Sequence, residues 1–146
     1  SDVADFLALV GAPPETIDRL SEVKVNGGAP PGANQPEVLL DINVAMMLAP
    51  EAEVIVYSAP FGGRGVSFQS LLNRAIDDGV DVISNSWAYC EDQTTLADVE
   101  SIDSILQAAA AAGIQVTQPF FAPCSASFPH ERTARTDAEG TSHPAG

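Results

Sequence analysis

Pro36-Glu37-Val38-Leu39-Leu40-Asp41-Ile42-Asn43-Val44-Ala45-Met46-Met47-Leu48-Ala49-Pro50 is a helix-length run held between two prolines. It is apolar almost all the way round, the pattern of a helix buried in a core, and its strongly polar members are Glu37, Asp41 and Asn43. Glu37 and Asp41 stand four apart, one above the other on one face, so their charges repel unless a proton or a partner lies between them. A first helical turn welcomes an acid because the macrodipole favours negative charge there, which accounts for Glu37. Asp41 sits a turn further in among apolar neighbours, and the dipole accounts for it poorly. A structural carboxylate network and a chemical site are both open at this point.

Downstream of this run, Glu53-Val54-Ile55-Val56-Tyr57 is β-branched and bounded by turn residues, as a buried strand is. Phe61-Gly62-Gly63-Arg64-Gly65 is a loop by composition, and Ser67 is placed to cap a helix over Phe68 to Asp78. Val80 to Trp87 follows as a strand. Leu96 to Ala112 is then a long alanine-rich helix stopped by Gly113, and Ile114 to Thr117 is a last strand. Upstream, Ser1 to Gly11 opens with a capping residue and closes on a glycine, the ends of a short amphipathic helix, before Pro13-Pro14 breaks it. Ser21 to Val25 reads as a short strand, and Asn26 to Gly32 as a Gly- and Pro-rich loop. Strands alternating with helices predict an α/β fold, a doubly wound parallel sheet covered on both faces. In such sheets sites form at the carboxyl ends of strands, here Tyr57 to Pro60 and Ser84 to Trp87.

After Thr117 the character changes. The segment 118–146 has no helical or strand period and is rich in Pro, Ser, Thr and Arg, so it reads as an irregular tail on a 1–117 domain. An abrupt change of this kind is what a shifted reading frame or an unrelated fusion would produce. The chain has 146 residues, enough for one domain with a real core. Its net charge of −14 leaves no basic face to neutralise phosphates, which argues against nucleic acid as a partner. An acidic surface loses its self-repulsion as carboxylates protonate and so suits low pH. No apolar run is long enough to span a bilayer, and the first residues lack the pattern of a signal peptide. Cys90 and Cys124 permit one disulfide without demanding it. Cys124, His130 and His143 fit no zinc spacing, and neither a metal nor a cofactor is expected.

The run Gly27 to Pro60 resembles the sedolisins, or serine-carboxyl peptidases. In that family a Gly- and Pro-rich loop leads to Glu-x-x-x-Asp-Ile, then to Ala-Pro, then to a strand ending in Ala-Pro. Here these are Glu37 to Ile42, Ala49-Pro50 and Ala59-Pro60, in that order. Val82-Ile83-Ser84-Asn85-Ser86-Trp87 followed by Glu91-Asp92 is similar to the family's next segment, a strand running into Ser-x-Ser-Trp. The similarity spans about Ser1 to Val116.

The resemblance implies an incomplete subtilisin-like fold and an acid-active endopeptidase acting on protein or peptide substrates outside the cell. It makes Glu37 the general base toward a serine and Asp41 its orienting partner. The physical reason is pH: an imidazole of pKa about 6.5 is already protonated in acid, whereas a carboxylate of about 4.3 still accepts a proton. Ser86 and Trp87 match the strand beside the substrate, although an aromatic at a strand end is as readily explained by packing. Two features depart from the family. Where its Gly-Asp-Ser-Gly motif should supply an oxyanion aspartate, the chain has Gln118-Pro119-Phe120-Phe121. Ser142, in Gly140-Thr141-Ser142, matches the nucleophile's Gly-Thr-Ser but lies about half as far along, in a tail where a three-residue match is cheap. The alternative is therefore a non-catalytic, sedolisin-derived domain, whose exposed sheet edges favour binding or self-association.

Overall fold

The computed structural model describes residues 1–60, 66–87 and 95–117. Helix α1 (Asp2–Leu9) starts at Ser1, whose hydroxyl accepts from the Ala4 amide at 3.4 Å, as the capping pattern predicts. A 3-10 turn (Pro14–Arg19) leads into strand β1 (Leu20–Lys24). Then come α2 (Gln35–Leu48), β2 (Val54–Ser58), α3 (Val66–Asp77), β3 (Val82–Ser84), α4 (Leu96–Ala111) and β4 (Gln115–Thr117). Pro36 falls in the first turn of α2, where its missing N–H costs nothing because that group has no helical partner.

The chain is α/β, and its strands pair in parallel. Instead of one doubly wound sheet, however, the described residues form two small sheets, β1 with β2 and β3 with β4, each closed by an intervening helix. Around β1–β2 the layering is doubly wound on a local scale. Leu20 and Val54 pack with α1 and α2 into the core of Val3, Leu7 and Met46. Tyr57, three positions on from Val54, points to the opposite face and donates to Asp78 at the end of α3. Leu72 and Ala75 on α3, Ala109 on α4 and Ile114 are buried where α3 meets α4 and α4 meets β4.

The strand expected over Val80 to Trp87 shrinks to Val82–Ser84, for local reasons at both ends. Gly79, at φ +71°, turns α3 off in the left-handed region and lets its own N–H reach the Ile76 carbonyl, while the Val80 amide reaches that of Ala75. Val80 is thus spent on closing the helix. At the other end the Asn85 side chain donates to the Trp87 carbonyl at 2.7 Å and accepts from the Trp87 amide at 3.2 Å, replacing ladder bonds with a local turn.

The expectation that α2 is a core helix needs the larger correction. Its inner face, with Leu39, Ile42 and Met46, packs on α1 and the β1–β2 ladder. Its outer face, with Leu40, Val44, Met47 and Leu48, is exposed. Nothing among the described residues forms a layer over it. The β2 strand, expected to be buried, is half-buried throughout.

Candidate functional site

The loop before α2 is drawn down onto the carboxyl end of the β1–β2 ladder. Gly28 is buried there at φ +75°, and a β-carbon on it would lie 2.9 Å from Lys24 Cγ and 3.1 Å from Ser58 Oγ. The left-handed backbone favours glycine there, and a side chain would also have to displace the Lys24 stem and press on Ser58 Oγ. Across the same ladder end the Val25 amide donates to the Ser58 carbonyl at 2.8 Å, and Ser58 Oγ donates to Glu22 Oε1 at 2.8 Å. From this anchor the chain turns into α2, whose first turn carries Glu37.

Glu37 and Asp41 lie one turn apart on α2, as their spacing predicts. At 100° per residue they share the outer face with Val44 and Leu48, and not the inner face with Met46. Glu37 is exposed and Asp41 half-buried. Among the described residues no hydroxyl, amide or cation is hydrogen-bonded or ion-paired to either carboxylate. Ser142 lies outside the described residues, as do Cys90, Cys124, His130, His143 and the Gln118 to Phe121 replacement of the family motif.

Ser86 and Trp87 follow β3 at its carboxyl end, the place where a parallel sheet presents its site. Ser86 is half-buried. Trp87 is 43% exposed, so packing does not consume its ring. The Asn85 side chain, bonded both to its carbonyl and to its amide, holds the backbone that presents it.

One polar network lay beyond the sequence reading. Arg74 Nε donates to both carboxylate oxygens of Asp78 at 2.9 Å, and Tyr57 Oη donates to Asp78 Oδ2 at 2.9 Å. The hydrogen bond from Arg74, then that from Tyr57, holds the Asp78 carboxyl below its ordinary range. Burial, then the bond to Asp78, pushes the Tyr57 phenol up to about 12. The Arg74–Asp78 half was visible as an i, i+4 pair. The tie to Tyr57 joins residues 21 apart and left no local signal.

Fold and site together define an α/β chain of parallel βαβ units with an acid pair on the helix between its first two strands. No protein-family profile matches the chain. It is 30% identical over 124 residues to kumamolisin of Bacillus sp. (strain MN-32), a match that covers 80% of this chain and 22% of kumamolisin. The chain thus spans about a fifth of the length of that relative. A match of this extent takes in α2 and β3 wherever in the chain it starts.

Proposed function

We propose that this chain is the acid-pair portion of a serine-carboxyl peptidase of the sedolisin family, built on a subtilisin-like fold and acting outside the cell on protein or peptide substrates in acid. The observation that carries this reading is the placement of Glu37 and Asp41 on one face of α2, within a chain 30% identical to kumamolisin, a sedolisin-family peptidase. In the proposed chemistry the Glu37 carboxylate accepts the proton of a serine hydroxyl as that oxygen attacks the peptide carbonyl. Asp41 orients Glu37 and shares its charge. Trp87 and Ser86, at the carboxyl end of β3, flank the substrate. Ser142 is the candidate nucleophile within this chain.

The test is incubation with a denatured protein over a range of acidity centred near the carboxylate pKa of about 4.3, comparing wild type with Glu37→Ala and Ser142→Ala. Cleavage that disappears in Glu37→Ala supports the reading, and its loss in Ser142→Ala makes Ser142 the nucleophile. Cleavage that survives Glu37→Ala removes the acid pair from the chemistry. No cleavage at any acidity favours a second reading, a non-catalytic sedolisin-derived domain that binds a partner or a second copy of itself. The open outer face of α2 supports that second reading.

A further inference from the structure

We propose that Asn26-Gly27, in the turn after β1, is a self-modification site: Asn26 deamidates through a cyclic imide, and the isoaspartate so formed releases the loop that leads into α2. Asn26 stands at φ +52° and Gly27 at φ +94°, and the Gly28 amide donates back to the Val25 carbonyl at 3.0 Å. This is a type I′ turn, whose two left-handed positions explain why Asn-Gly stands here. The same pair carries the reacting atoms, the Asn26 carboxamide carbon and the Gly27 nitrogen.

The structure leaves both groups free. Asn26 and Gly27 are exposed, and no hydrogen bond among the described residues engages the Asn26 side chain or the Gly27 amide. A β-carbon on Gly27 would meet nothing within 4 Å, so no neighbour hinders the approach. One backbone hydrogen bond closes the turn, and a surface turn held this lightly opens locally while the fold stays intact.

The other asparagines are held back. Asn43 and Asn73 lie inside α2 and α3, where the amide that follows each is spent on the helix. The Gln35 amide after Asn34 donates to the Gly32 carbonyl at 3.0 Å. Asn85 is engaged at both ends of its side chain by Trp87. Asp78-Gly79 could form the same ring, but Arg74 and Tyr57 hold the Asp78 carboxylate, and the Gly79 amide donates to Ile76.

In the reaction the Gly27 nitrogen gives up its proton and bonds to Asn26 Cγ, and the C–N bond of the carboxamide breaks to release ammonia. Water then opens the five-membered imide. Attack at Cγ restores the main chain with aspartate at position 26. Attack at the main-chain carbonyl leaves Gly27 joined through Cγ, which is isoaspartate, with one extra carbon in the backbone. That carbon falls inside the turn closed by Val25 and Gly28. Gly28 is buried against the Lys24 stem and Ser58 Oγ, a seat with no room to absorb the added length.

The inference concerns the backbone and holds whether or not the chain cleaves peptides. Its test is to age the whole chain in warm, mildly alkaline buffer made with heavy-oxygen water, then to map its peptides by mass spectrometry with fragmentation that separates aspartate from isoaspartate. The peptide bearing Asn26 should convert over days, take up solvent oxygen and hold more isoaspartate than aspartate, while those bearing Asn34, Asn43, Asn73 and Asn85 stay unchanged. In Asn26→Gln the ring would need six members, so conversion at that position should fall by an order of magnitude or more. In hydrogen exchange the Gly28 amide should lose its protection in the aged chain and keep it in freshly made Asn26→Asp, which carries the new charge without the longer backbone. Conversion at Asn26 no faster than at Asn34, or aspartate without isoaspartate, would overturn the proposal. So would a Gly28 amide equally protected in the isoaspartate form.

Discussion

Two alanine substitutions on one helix test which way α2 faces. Met46 is 2% exposed and sits with Val3 and Leu7 at the centre of the core, among Ile17, Leu20, Leu39 and Ile42. Met46→Ala removes the side chain that joins α1, α2 and the β1–β2 ladder. Buried Leu, Ile or Met to Ala costs about 2–5 kcal/mol. The lower part of that range, about 2–3 kcal/mol, applies here, because several of the surrounding side chains are only partly buried and can close over the gap. Leu48, two positions on and as apolar, is 74% exposed, so Leu48→Ala should stay within about 0.5 kcal/mol.

Urea unfolding followed by far-ultraviolet circular dichroism separates the two. With a slope of about 1–3 kcal/mol per molar urea, Met46→Ala should lower the midpoint by roughly 1–2 M and Leu48→Ala by a few tenths at most. Equal shifts, or a larger one for Leu48→Ala, would show that α2 lies the other way round. Glu37 and Asp41 would then point inward, and the description of Glu37 as exposed would fall.

Stability should also respond to pH through the Tyr57–Asp78–Arg74 network. The phenol is raised from 10.0 to about 12, so the fold favours its neutral form, and this contribution is whole below pH 10 and lost between there and about 12. Tyr57→Phe should flatten the alkaline fall of the melting temperature; an unchanged fall would refute the role of Tyr57. The Asp78 carboxyl is depressed, so its contribution is present above the unfolded value of about 3.9 and lost as pH drops through the folded one. Asp78→Asn should therefore weaken the acid dependence of the same melts. Gly28→Ala should destabilise by about 1–2 kcal/mol from the left-handed backbone alone, with the crowding against Ser58 added, and a neutral result in the same urea assay would contradict the buried approach of that loop.

The order of elements was legible because helix ends carry their own chemistry. Ser1 caps α1 as its position predicts, and Gly79 and Gly113 fall where the carbonyls at the ends of α3 and α4 are taken up. The extent of the strands was not legible. Val80 reads as the first residue of a β-branched run, but its amide belongs to α3, and the Asn85 side chain ends the ladder where the apolar pattern continues. Nor did alternation alone say whether the strands form one sheet or two, because a half-buried β2 and a fully covered one read alike. The acid pair's spacing was readable and its surroundings were not: a helix apolar all round has no preferred face until a neighbour chooses one. Here Val3 and Leu7 of α1 choose the face of Met46.

That choice bears on what Glu37 and Asp41 can do. An exposed carboxylate keeps its water and gains little by acting on a hydroxyl in the open, since water competes for every hydrogen bond and screens every charge. A covered pair loses that hydration and must be supplied with a proton, a hydroxyl or a cation in its place. The apolar strip running on from the pair provides the contact that would hold such a cover, and the outer face of α2 bears both. A cover seated there would bury Leu40, Val44, Met47 and Leu48 and decide the chemistry of the acids. A cationic cover makes the pair a recognition element; one presenting a serine hydroxyl makes it a general base.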